Sequence, residues 1–288
     1  MTDAVLSASR STRLRRWAWH LPLSGKIGLG LVLFWLLIAI IGPALARYPI
    51  GAFVTYEVFE GSSAAHWLGS DYLGRDVLSR LLSGARYTVG LSLGAAVLAV
   101  LTGTGLALFS SVSNRSVDEA LSRFMDTLIS LPSKIFALVM VAAFGSSLGL
   151  LLLIAAITYV PGNYRIARSL AVNLNQMEYV QVARARGEGR VNIALSEILP
   201  NMIHPMLADF GLRFMFIVLL LSGLSFLGLG VQPPDADLGS LVRENISGLG
   251  EGALAILMPA VAIATLTVGM NLLIDALPAR ARRVAGEG

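Results

Sequence analysis

The chain has 288 residues, of which 55% are hydrophobic and only 14% charged, and its mean hydropathy is +0.72. Soluble domains carry about a quarter charged residues, so a water-soluble globular fold is excluded and a polytopic membrane protein is implied. Zero cysteines exclude disulfides, thiolate metal centres and thiol catalysis, and the net charge of +4 reads as membrane orientation and not as a nucleic-acid footprint.

Residues 1–26 read as a cytoplasmic N-terminal arm. It is basic through Arg10, Arg13, Arg15 and Arg16, but no small-residue cleavage site closely follows a short apolar core, so a signal peptide is not expected. The apolar run 27–46 has the length, about 20 residues, that crosses a hydrocarbon core about 30 Å thick. Segment 47–86 is polar and is read as extracytoplasmic. Its Asp71 and Asp76 lack the alternating acidic spacing of a calcium loop. Leu78, Leu81, Leu82 and Ala85 keep helical spacing, which predicts a helix resting along the outer interface ahead of the second span.

Residues 87–275 form the core transmembrane domain. The second span is expected at 87–113, with Gly90 and Gly94 as a small-residue pair suited to helix packing. A third begins near Ser122 and passes through Leu131-Pro132 to a turn at Gly145-Ser146-Ser147, and a fourth runs from there to about Arg165. The fifth and sixth cover 207–231 and 252–274, and 276–288 is a cytoplasmic tail carrying Arg280, Arg282 and Arg283. Six spans put both termini on one side, and the arginines of the arm, the loops and the tail make that side cytoplasmic. With the spans drawn in this way no charge stands at mid-span. Asp209 and Arg213 fall at the cytoplasmic end of the fifth span, where a helix pairs them structurally, and Arg123 and Asp126 read as satisfying each other at the mouth of the third.

The loop 166–205 is polar yet periodic. Leu170, Leu174, Met177 and Val180 or Ala183 recur at three- and four-residue steps, with Glu178, Gln181 and Arg184 opposite. Gly187 and Gly189 interrupt the pattern, and a glycine there permits a left-handed turn. A second short helix is expected from near Asn192, with Val191, Leu195 and Ile198 on one face and Pro200 near its end. By pattern alone this helix–turn–helix fits an amphipathic loop on the bilayer surface as well as a docking element.

Gln181-Val182-Ala183, Gly187 and Leu199-Pro200 resemble the coupling-loop signature of ATP-binding-cassette importer permeases: Glu-Ala-Ala, three residues, Gly, and a closing Leu-Pro. Gln181 and Val182 depart from it; the glycine and the Leu-Pro hold their places. His66 to Arg80, the group Arg123, Asp126 and Pro132, Ser225 to Pro234, and Pro259 with Asn271 and Asp275 further resemble the dipeptide, oligopeptide and nickel permease family, in particular its subunit with the short N-terminal region.

The resemblance implies an all-α membrane protein with six transmembrane helices in the type I ATP-binding-cassette importer permease fold. It implies a homologous permease, two ATP-binding subunits and an extracytoplasmic substrate-binding protein as partners, in the bacterial cytoplasmic membrane. It also implies that Glu178, Gln181, Ala183, Arg184, Gly187, Leu199 and Pro200 couple the chain to the ATPases, and that the cargo is a di- or oligopeptide or, alternatively, a nickel chelate, glutathione or an opine-like compound. Independently, the sequence has no G-x-x-x-x-G-K-[ST] or H-E-x-x-H and only three scattered histidines. No cofactor, metal or catalytic site is therefore expected in this chain, and ATP with its Mg falls to the partner ATPases. A stand-alone secondary transporter or channel, or a structural scaffold, are the readings of other classes.

Overall fold

A computed structural model describes the backbone of residues 21–286 and the side chains of residues 21–276. The basic arm with Arg10, Arg13, Arg15 and Arg16, and the side chains of Arg280, Arg282 and Arg283, lie outside the described residues. The chain order is α1 (Leu23–Leu45), α2 (Val77–Val112), α3 (Arg115–Ile129), α4 (Ser133–Phe144), α5 (Leu148–Asn175), α6 (Glu178–Ala185), α7 (Arg190–Asn192), a π-helical turn (Ile193–Ile198), α8 (Leu199–Phe226), α9 (Leu238–Glu244), a 3-10 turn (Ile246–Glu251) and α10 (Leu254–Gly286). No strand occurs among the described residues, which hold two isolated β-bridges, Phe53 with Arg75 and Ser70 with Asp76. In a lipid interior a backbone must satisfy its own polar groups, and helices do so within one segment.

Five helices are each long and apolar enough to cross a membrane, and α3 with α4 supplies the sixth crossing when taken as one broken span. The break corrects the third span read from the sequence as continuous: α3 and α4 meet at 84°. Its cause is Pro132, which keeps the preceding residue out of the helical region and caps α4 with no N–H of its own. At 1.5 Å per residue the twelve residues of α4 reach only about 18 Å, short of the hydrocarbon core of about 30 Å. Arg123 and Asp126, expected to satisfy each other, are both exposed on α3 and form no ion pair with each other.

The predicted interfacial helix does not exist as a separate element. Asp76 caps α2 by accepting from the Ser79 N–H at 2.8 Å, and the helix then runs unbroken to Val112. Neither Gly84 nor Gly90 is followed by a proline that would end it. Leu81 and Ala85 are buried, and Gly84 lies where an added Cβ would come within 3.2 Å of Ala236 and Leu241. The first turns of α2 thus pack on α9 and do not rest on lipid.

The main core gathers side chains from α1, α2, α4, α5, α8, α9 and α10. Small residues set the closest approaches. Ala95, Ala96 and Ala99 of α2 are fully buried, Gly94 abuts Leu152 of α5, and Gly28 of α1 lies against the backbone of Gly269 and Leu273 in α10. Gly90, its expected companion, faces open space. Leu33, Leu37 and Ile40 of α1 are exposed, as suits a lipid-facing surface.

On the loop side, Asp71 and Asp76 both have structural partners. Asp71 accepts from Arg75 Nε at 2.7 Å and Arg80 Nη1 at 2.6 Å, and Glu244 at the end of α9 accepts from both arginines at 2.8 Å. Burial lowers the Arg75 pKa, but Asp71 and Glu244 outweigh it and hold the guanidinium above its usual value. This network clamps the 47–76 segment onto α9.

Candidate functional site: the two-helix elbow

Fourth-span residues continue well past Arg165: α5 extends to Asn175, so Leu170 and Leu174 belong to it and not to a separate loop helix. The chain then reverses through α6. Val180 and Ala183, three apart, are the fully buried positions of this eight-residue helix, and they enter a second core with Ala107, Leu108, Met125, Tyr164, Ala167, Ala171, Ile193, Ala194, Ile198 and Met202. The elbow therefore has its own packed base, built from the ends of α2, α3, α5 and α8.

Gly187 closes α6. Its φ is +85°, in the left-handed region that costs an L-residue about 1–2 kcal/mol. The Gly187 N–H donates to the Arg184 carbonyl at 2.9 Å and the Glu188 N–H to the Ala183 carbonyl at 3.2 Å, the paired bonds of a Schellman cap. Gly189, by contrast, has φ −71° and serves only as the cap of α7.

The second elbow helix differs from the expected short one. α7, the π turn and α8 run on as a single 37-residue helix, Arg190–Phe226, so Pro200 sits in the first turn of α8 and not at a helix end. Inside this continuous helix a proline removes one backbone donor, and the π-helical turn just before it accommodates the loss. Val191 and Leu195 do not share a buried face with Ile198: they are 71% and 54% exposed, while Ile193, Ala194 and Ile198 are buried. The wider register of a π turn rotates the buried face relative to a 3.6-residue period.

Of the seven residues singled out for coupling, Glu178, Gln181, Arg184, Gly187 and Pro200 are exposed, Ala183 is buried in the base, and Leu199 is half-buried. Sequence reasoning missed Asn175. It donates to the Ser111 carbonyl at 2.8 Å and accepts Arg184 Nη2 at 2.6 Å on its side chain and Gln181 Nε2 at 3.2 Å on its carbonyl, tying α6 to the ends of α2 and α5. Nothing in a lone Asn marks that role. It also missed an exposed apolar surface on the elbow: Tyr179, Val182, Val191 and Leu195. A helical wheel supplies the signal for Val182, which falls off the Val180–Ala183 stripe.

Beside the elbow, Arg168 of α5 donates through Nε to Asp118 of α3 at 2.6 Å and also through Nη2, while the Tyr164 hydroxyl lies 3.0 Å from both Ser110 and Ser122. A cleft of about 390 Å³ opens between the end of α2 and the elbow, lined by Val112, Ser113, Arg184, Glu188, Arg190 and Ile193. This arrangement offers no nucleophile–base pair and no phosphate-cradling loop. What it presents is a rigid knob with a polar rim and an apolar crown, fixed to two membrane helices.

The sequence profile of binding-protein-dependent transport system inner membrane components matches residues 99–283, a stretch that includes the elbow. Among curated proteins, the chain is similar to the dipeptide transport system permease protein DppC of Alkalihalophilus pseudofirmus, 32% identical over 87% of this chain and 83% of that one. It is similar to the probable D,D-dipeptide transport system permease protein DdpC of Escherichia coli, at 32% over 86% and 83%. The glutathione transport system permease protein GsiD of Pectobacterium atrosepticum is 31% identical over 85% and 82%.

Proposed function

Since the chain belongs to the family of binding-protein-dependent transport system inner membrane components, we propose that it pairs with a homologous permease to form the pathway by which peptides delivered by a binding protein enter the cell. The ATP-binding-cassette class, the inner-membrane location and the transport role come with the family. The paired permease, two ATPase subunits, both termini in the cytoplasm and the absence of catalysis in this chain are parts of the proposal. Peptide is favoured as cargo because relatives at 32% identity are described as dipeptide and D,D-dipeptide permeases. Glutathione is the second reading, carried by the relative at 31%.

The observation that supports the coupling role most directly is the continuity of the elbow with the membrane helices. α6 follows α5 through a two-residue link, and the other arm is the N-terminal part of the 37-residue helix ending at Phe226. An ATPase surface seated on Glu178, Gln181, Val182 and Arg184 would push on a body packed against and continuous with those helices, so closure around nucleotide becomes helix movement. The test has two arms. ATPase subunits should copurify with this chain, and a strain lacking it should lose uptake of a labelled dipeptide while keeping uptake of labelled nickel. Loss of nickel or glutathione uptake with dipeptide uptake intact would overturn the cargo assignment.

A further inference from the structure

Two helices that carry the elbow are also joined deep in the bundle by buried polar groups. Asn163, fully buried about midway along α5, donates through Nδ2 to Asp209 Oδ2 of α8 at 2.7 Å. Asp209, 5% exposed, pairs one turn on with Arg213, whose Nη2 donates to Oδ1 at 3.0 Å and whose Nε lies 3.3 Å from Oδ2. Thr104 of α2 donates to Asn163 Oδ1 at 3.2 Å. Two glycines make the room: a Cβ on Gly103 would stand 2.4 Å from Asn163 Oδ1, and one on Gly162 would stand 2.7 Å from Arg213 Nη1. The pair read from the sequence as structural is thus joined by Asn163, two residues ahead of Arg165 on α5.

The cost of such a cluster makes its position informative. A buried carboxylate and guanidinium lose hydration that their mutual attraction roughly offsets, and shape-matched apolar side chains would stabilise the bundle as well. Such groups respond in an all-or-none way, because a hydrogen bond in a low-dielectric interior is strong when made and costly when left open. Among the described residues, the side-chain bonds from α5 to α8 are this one and Tyr159 Oη to the Phe216 carbonyl at 3.2 Å. Asp209 stands nineteen residues beyond Arg190 on the same helix, about 28 Å at 1.5 Å per residue. Displacement of the elbow is therefore felt at Asp209.

We infer that Asn163, Asp209 and Arg213 form a latch between α5 and α8, positioning residues that hold the two helices in one register until movement of the elbow releases it. The inference rests on the coupling role of the elbow. It adds the place where that movement is converted into a discrete change of helix contact, and it involves no residue at the ATPase surface. Closed, the latch keeps α5 and α8 moving as one body; open, α8 shifts past α5 while Asp209 keeps Arg213, so the charge stays neutralised in both positions.

The test uses the assembled transporter in vesicles, with its binding protein loaded with alanyl-alanine. Three variants are compared: Asn163→Leu, Asp209→Asn, and the exchange N163D/D209N, which restores an amide–carboxylate bond with its poles reversed. ATP hydrolysis with and without loaded binding protein is measured per correctly assembled complex, together with uptake. The latch predicts that the stimulated-to-basal ratio and uptake fall together by about tenfold or more in each single variant, as expected for loss of a charge-assisted hydrogen bond, and that the exchange recovers most of both. A merely structural brace predicts lower abundance with an unchanged ratio per complex, and that result would overturn the inference. If the wild-type complex itself shows no stimulation, the coupling role of the elbow fails instead, which separates the two outcomes.

Discussion

Across Gly187, the Glu188 N–H donates to the Ala183 carbonyl at 3.2 Å, so the residue that begins the returning arm of the elbow is bonded to the residue that anchors α6 in its base. That bond exists only while Gly187 stays at positive φ. The turn geometry and the buried foot of α6 are thus one structure, and disturbing either loosens the other.

Gly187→Val should uncouple transport while leaving the protein in the membrane. An added Cβ meets no atom within 4 Å, so the penalty is backbone strain alone, about 1–2 kcal/mol or more for a β-branched residue. Spans insert by partition into lipid irrespective of this turn. Uptake should be lost at normal abundance, Gly187→Asn should retain most of it because Asn enters the left-handed region readily, and Gln181→Glu should be tolerated. Full uptake by Gly187→Val contradicts the turn's role.

Removing Arg80 should be among the most damaging single changes outside the membrane spans. Its side chain is 3% exposed and bridges Asp71 and Glu244. Arg80→Met strands part of two carboxylates with only Arg75 to share. Breaking a buried pair on one side costs about 3–5 kcal/mol, and the retained Arg75 argues for the lower end. Thermal unfolding of the detergent-purified protein measures it, and a shift no larger than that of an exposed Arg86→Met control contradicts the clamp.

Acid should act on Asp237 with the opposite sign to an ordinary paired carboxylate. Burial raises its pKa above 3.8, only partly offset by hydrogen bonds from Ser225 and Ser240. The folded state therefore binds the proton more tightly than the unfolded chain does. The stability it contributes is present below the unfolded value and lost as pH rises through the folded one. Asp237→Asn keeps the cap, since Asn also caps helices, and should remove that slope. Comparing unfolding midpoints of the two proteins from about pH 4 upward should show the wild type losing ground to the variant; parallel curves contradict it.

The bent pair α3–α4 decides the parity of the spans. Taken as one crossing, it gives six, and a reporter fused after Gly288 should be active in the cytoplasm while one inserted near Ser62 is active outside. A reporter active outside at both sites would mean that α4 enters and returns without crossing.

Much of this architecture was legible in the sequence because lipid imposes a simple rule: apolar length predicts a crossing. α1 follows it, and the Gly187 turn is readable because one residue type suits positive φ. The failures share a cause as well. Where a helix leaves the bilayer nothing in its periodicity reports the fact, so the sequence alone places boundaries at Tyr87, inside α2, and at Arg165, inside α5. The Pro132 break was legible as a proline but not as an 84° bend, which depends on what α3 and α4 pack against. Val191, Leu195 and Ile198 share one face only on a 3.6-residue period, which the π turn does not keep. Asn175 and Asn163, which carry the cross-helix bonds, stand in apolar or mixed surroundings with no pattern around them.

The central claim is that the elbow is an ATPase seat and not a loop lying on lipid. A photoreactive amino acid placed at Val182, which is 56% exposed on the outer face of α6, tests it most directly in the assembled complex. The account predicts a crosslink from Val182 to an ATP-binding subunit, weakened when Gly187→Val is added to the same chain. Crosslinks to phospholipid alone, unaffected by that second change, would contradict it.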